Sequence, residues 1–374
     1  MGHETQAASS VQHTAMRRAY TYTILAVLAW TTGPVGSKAA LLSVGRGPRL
    51  TPLQVAFWAI GIGWVALLAL LIVRGRLSLL RAVAARGWVV LAGMGLCGWS
   101  GYPALINYAY TKLPLPDALI ISYLNPVLVT LFQGPAFGSV VEAVSRWQQQ
   151  PDRLARRSTA RVAAALSVCL LGVATTATGG RLLTLAGMRF GEGAAAALCA
   201  AIAWAVYSNL GRFVPVKEGY SARGLGDVQS FAAMTVGLAV MGGLLVAPNG
   251  LALPVGYHTR LHLGAMGVVE VSTWLVIALV GVVNYAVGYP LWLHALEVGS
   301  HAGAASRLPP LTYLLLVTSV ALGWSLLLEP FGPGFWQGAG LIALGNMVNL
   351  WPQRACHAEP FASAQGELRD ASHR

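Results

Sequence analysis

Long apolar runs separated by short polar gaps make up most of this chain, and the length of each run decides what it can be. Ten runs qualify as membrane-crossing helices, at residues 20–42, 52–73, 87–110, 115–137, 162–178, 191–213, 228–247, 271–296, 302–327 and 334–351. A helix needs about 20 apolar residues to cross the hydrocarbon core, where only helices and closed barrels satisfy every backbone polar group. The fifth and tenth runs are short for that task. Short segments alternating apolar with polar positions, which a barrel requires, are missing from the pattern. The polar stretches are three. Residues 1–19 end on Arg17 and Arg18 and lead into an apolar run too long for a signal-peptide core, so a retained signal anchor with a cytoplasmic N-terminal segment is expected. Residues 138–161 form a basic, Gln-containing insert, read as a solvated cytoplasmic loop with a membrane-surface helix as the alternative. Residues 352–374 have mixed charge and no helical period, as in a disordered tail.

The apolar pattern also repeats. The stretch LAVLAWTTGPVGSK at residues 25–38 returns 174 positions later as CAAIAWAVYSNLGR, placing Trp30 on Trp204, Ala26 on Ala200 and Lys38 on Arg212. Phe57 meets Phe231 at the same offset, and Gly101-Tyr102-Pro103 meets Gly288-Tyr289-Pro290 after a shift of 13. Landmarks in one order imply a duplicated unit of five helices, residues 20–180 and 181–351. Five is odd, so the second unit enters the bilayer inverted relative to the first.

Composition agrees with a place in lipid. Of 374 residues, 56% are hydrophobic and 10% charged, too much apolar surface for an ordinary soluble fold. A net charge of +12 could suggest nucleic acid, but the Lys and Arg sit in gaps between apolar runs and form no basic face. No nucleic-acid partner is expected; the partners are the bilayer and a small solute. The four cysteines, Cys97, Cys169, Cys199 and Cys356, have neither C-x-x-C nor metal spacing, and no metal, cofactor or disulfide is implied. With the N-terminus inside, 18 of the 25 basic residues fall on the cytoplasmic side, which puts both termini in the cytoplasm of a multi-pass inner-membrane protein. Whether it is a monomer or a homodimer is open.

Candidate chemistry lies at mid-depth. At 1.5 Å per residue, Trp30, Tyr102, Asn125, Trp204 and Asn284 fall near the bilayer centre. Tryptophan prefers the interfaces, so a central Trp in each half calls for a wet cavity, with Asn125 and Asn284 bonding a polar solute. The plainer reading has the same residues packing helices together. Pro126, Pro309 and Pro310 break helices four and nine and are candidate hinges. Three charges could contact a solute: Lys38, expected to snorkel to the outer face; Arg307, ahead of Pro310; and His294, towards the inner end. Asp117, Glu192, Glu270, Glu297 and Glu329 all sit at helix ends, so carboxylate-based proton coupling is not expected. No P-loop, H-E-x-x-H or G-x-S-x-G motif is present, which argues against an enzyme.

With AIAWAVYSNLGRF opening the second half, Tyr123-Leu124-Asn125-Pro126 in helix four and FWQGAGLIALGN at residues 335–346, the chain resembles the drug/metabolite transporter superfamily, EamA type. Trp30, SYLNP from Ser122 and FWQGA are similar to bacterial aromatic amino acid exporters. That resemblance implies a cavity between the halves and export of amino acids or related metabolites, with Trp30, Tyr123, Pro126, Trp204 and Pro310 as cavity or hinge positions. Two features depart from the pattern: the acidic residue expected after helix four is displaced to Glu142, and helix nine has two prolines. The expectation is an all-α polytopic protein of ten helices that exports small amphipathic solutes by alternating access. The alternatives are an importer or exchanger of sugars or nucleoside-like solutes, and a membrane enzyme acting on lipid intermediates.

Overall fold

The computed structural model describes residues 2–42, 50–125, 128–129, 132, 164–165, 167–176, 178, 180, 191–211, 214, 217, 225–246, 270–301, 308, 313–328, 331–332 and 334–350. The insert at 138–161, the tail at 352–374, Pro126, Arg307, Pro309 and Pro310 lie outside them. Among the described residues the regular structure is helical, with no β-strand. Helix α1 is Gly2–Leu42, α2 is Pro52–Val73 and α4 is Leu115–Ser122. Helix α3 is a single rod of Ala85–Met94, a π-helical stretch Gly95–Gly101 and Tyr102–Lys112. Then come α5 (Ser167–Thr176), α6 (Glu192–Leu210) and α7 (Gly226–Val246). Helix α8 repeats the design of α3, as Val271–Leu279, a π-helical Val280–Gly288 and Tyr289–His301. Helices α9 (Tyr313–Leu327) and α10 (Phe335–Leu350) close the order.

Among the described residues six of these, α1, α2, α3, α6, α7 and α8, are long and apolar enough to cross a membrane. The other four crossings expected from the sequence, at 115–137, 162–178, 302–327 and 334–351, lie partly outside the described residues. Helix α1 begins earlier than expected, because residues 3–19 hold no Pro or Gly to stop it.

Local chemistry sets the helix ends. Thr51 and Gln54 form a reciprocal cap at the start of α2: the Thr51 hydroxyl accepts from Gln54 N–H at 3.3 Å, and the Gln54 side chain accepts from Thr51 N–H at 2.8 Å. Gly75 ends α2 with φ +63°, a left-handed turn in which Gly75 N–H bonds Ile72 O and Arg76 N–H bonds Leu71 O. Both π-stretches stand directly before a Tyr-Pro pair. A proline ring presses on the carbonyl four residues back, and the chain meets this by widening the preceding turn, so that Tyr102 N–H reaches Cys97 O.

The rods interlock across the two halves of the chain. Helix α1 lies along α8, and α6 lies along α3; α2 packs on the π-stretch of α8, and α7 on that of α3. Glycine makes these crossings close. A Cβ on Gly63 would stand 2.6 Å from Gly281 O, and one on Gly95 would stand 2.6 Å from Ala233 O. Outward faces remain apolar, as at Val89 (74% exposed) and Leu275 (66%), which suits lipid rather than water.

The bundle has two distinct ends. At one, Arg76 pairs with Asp227 at 2.7 Å and Lys217 N–H donates to Ala82 O. At the other, Glu192 accepts from the Tyr108 hydroxyl at 2.6 Å and lies 3.3 Å from Lys112. The described cations divide unevenly by chain order: Arg17, Arg18, Arg74, Arg76, Arg81, Arg86 and Lys217 at the first end, Lys38 and Lys112 at the second. This is the imbalance that fixes orientation in membranes.

Candidate functional site

Between the two ends lies a cavity of about 120 Å³, walled by α1, α3, α4, α6, α8 and α9. One water needs about 10–15 Å³ on this scale, so the space holds several waters or a small solute. The six residues singled out as solute contacts, Trp30, Tyr102, Tyr123, Asn125, Trp204 and Asn284, all line it. They come from five helical segments scattered along the chain and meet only through the interlocking of the rods.

Aromatic rings form most of the wall. Trp30 and Trp204 meet edge to face at 5.8 Å, and Trp204 reaches Tyr102 at 5.0 Å. Tyr289 sits at the hub, 5.4 Å from Trp30, 5.5 Å from Trp204 and 4.4 Å from Trp99. Such pairs prefer tilted or edge-on geometry because ring faces are negative and edges positive. The result is a largely aromatic enclosure. Trp30 is 5% exposed, and its Nε1–H has no hydrogen-bond partner among the described residues. Leaving a buried donor unmade costs about 1–3 kcal/mol, so Trp30 favours a cavity occupant that accepts. Gly288 makes room for this ring: a Cβ there would stand 2.7 Å from Trp30 Cδ1 and 2.8 Å from Nε1.

The polar groups are few. Asn284 stands against Gly33, whose added Cβ would fall 2.6 Å from its Oδ1, while Ser37, Ser122, Asn125 and Ser208 complete the lining. Asn107 is partly committed, donating to Pro52 O at 3.3 Å. Pro34, inside α1, lacks the N–H that would bond the Trp30 carbonyl, which adds a backbone acceptor on this wall.

Two of the three charges expected near a solute, Lys38 and His294, are placed apart from this lining. Lys38 does not reach outward to water. It is 6% exposed, and its ammonium donates to Tyr110 O and, at 3.0 Å, to Leu113 O, the free carbonyls at the C-terminal end of α3. A cation there also meets the negative end of the helix dipole, which outweighs the pull to the surface. His294 lies in a separate cavity at the Arg-rich end, where its ring meets Tyr22 at 4.9 Å. Arg307 and the hinge prolines Pro126, Pro309 and Pro310 fall outside the described residues.

Several lining residues escaped the sequence reading: Gly33, Pro34, Tyr285, Tyr289 and Trp292. Tyr289 was within reach, since it occupies the place of Tyr102 in the repeated Gly-Tyr-Pro, and Trp292 follows three residues later on the same helix face. Pro34 stands in the middle of an apolar run, a signal of the kind used for Pro126.

Residues 17–145 match the model of the EamA-like transporter family, and this supports the resemblance to the drug/metabolite transporters over that part of the chain. A solved structure titled only "Crystal structure of protein" is similar at 24% identity, covering 88% of this chain and 95% of that one, with a TM-score of 0.49. None of the curated proteins matches the chain.

Proposed function

We propose that the chain is a membrane transporter of small solutes that holds its substrate between Trp30 and Trp204. In this reading it exports amino acids or related amphipathic metabolites from the cytoplasm by alternating access. One observation carries it: a cavity built from both halves of the chain, with a buried indole donor that has no partner among the described residues. Aromatic walls with a few hydroxyls and carboxamides suit a solute with one apolar and one polar part. The EamA-like match over residues 17–145 supports transport as the activity class. Reciprocal packing of α1 on α8 and α6 on α3 supports two inverted units of five helices, which could rock about the cavity and open it to either side.

Reconstitution into liposomes with counterflow of labelled amino acids, sugars, nucleosides and amines tests the reading. Amino acid exchange that falls on Trp30→Ala and Trp204→Ala supports it. A preference for sugars or nucleosides moves the substrate to that class, and no accelerated solute removes transport altogether. Inside-out vesicles decide direction, since an exporter accumulates substrate in them. Ser208→Cys, expected to react with a water-soluble thiol reagent and to be protected by substrate, checks that the cavity is wet.

A further inference from the structure

The Arg-rich end holds a second cavity, of about 430 Å³, which the transport reading does not use. It is walled by the middle of α1 at Tyr22, the end of α2, the start of α7 and the length of α8 around Pro290. Arg74, Arg76 and His294 bring nitrogen donors to it, and Leu70, Val287 and Leu291 give it an apolar side.

Charge on the lining is unbalanced. Asp227 is its one carboxylate and is committed, pairing with Arg76 at 2.7 Å and accepting from Val228 N–H at 2.9 Å. Arg74 makes no ion pair among the described residues. The left-handed turn at Gly75 holds Arg74 and Arg76 together at this mouth. The surroundings are those of a membrane boundary: Val287 is 44% exposed on an apolar helix face, and Val73, beside Arg74, is 85% exposed.

We propose that this cavity binds the phosphate of an anionic phospholipid, with Arg74 as the principal contact and the apolar side receiving the upper part of an acyl chain. A guanidinium fork matches phosphate oxygens in pairs, and basic pockets between helices at the membrane surface attract anionic headgroups. Free phosphate would gain nothing from Leu70, Val287 and Leu291. A bound lipid would touch α2, α7 and α8 at once, next to the widened turn of α8, and so brace that end of the bundle. The site is independent of the substrate cavity, so its failure leaves the transport reading untouched.

The test uses the full chain in zwitterionic nanodiscs and compares phosphatidylglycerol with phosphatidylcholine of the same chains, by native mass spectrometry and by melting. Phosphatidylglycerol is expected to be retained about five-fold better, equivalent to about 1 kcal/mol, and to raise the melting temperature. Arg74→Gln should abolish that preference, Arg74→Lys should keep part of it, and Arg81→Gln, exposed and off the lining, should leave it intact. Equal retention of the two lipids overturns the proposal, as does a preference that survives Arg74→Gln. Inorganic phosphate protecting as well as the lipid would assign the site to a soluble anion and overturn it equally.

Discussion

The indoles of Trp30 and Trp204, 174 positions apart in sequence, meet edge to face with centroids 5.8 Å apart and planes at 88°. Each stands in the middle of the helix that opens its half of the chain, and both border the same cavity.

Trp30→Phe keeps a ring in the wall and deletes the N–H that lacks a partner among the described residues. Substrate affinity is expected to fall about ten-fold, the value of one hydrogen bond to a buried donor. Solute-dependent melting shifts measure it, and an unchanged affinity would remove Trp30 from the binding groups.

Gly288→Ala puts a methyl 2.7 Å from Trp30 Cδ1, closer than packing allows. Displacing the ring should cost about 1–3 kcal/mol and lower counterflow. Combining it with Trp30→Phe frees space, so the double variant should melt higher than Gly288→Ala alone.

Lys38→Met leaves the Tyr110 and Leu113 carbonyls without their ammonium donor in a buried place. A loss of about 1.5–3 kcal/mol is expected in thermal or denaturant unfolding, as for hydrogen bonds to charged groups. A loss within experimental error would mean that the cap contributes nothing.

Removing Arg76 strands the Asp227 carboxylate, which is 7% exposed. Arg76→Ala should therefore destabilise more than Arg76→Ala with Asp227→Ala together, since an unpaired buried charge costs more than losing the pair. A thermal-melt double-mutant cycle reads the difference, and additive losses would show no coupling.

The helical class, the helix-end positions of most carboxylates and the Trp and Asn residues that line the cavity were legible in the sequence because each depends on local periodicity or on distance counted along one helix. Lys38 was not. Distance from the helix start pointed to water, and only the approach of the α3 C-terminus, with carbonyls at Tyr110 and Leu113, gave the ammonium an internal partner. Tyr289 was half legible, as the repeat partner of Tyr102. Its place as the hub of the aromatic wall depends on α8 bringing this ring against Trp30 of α1 and Trp204 of α6 at once.

Apolar run length by itself determined that this chain is helical and suited to a bilayer, because bilayer thickness and backbone hydrogen bonding leave little choice. Which faces meet was decided by tertiary structure alone. Helices that are apolar all round carry no record of their partners, and contact is set by where glycine lets two backbones approach, as at Gly63 with Gly281 and Gly95 with Gly237.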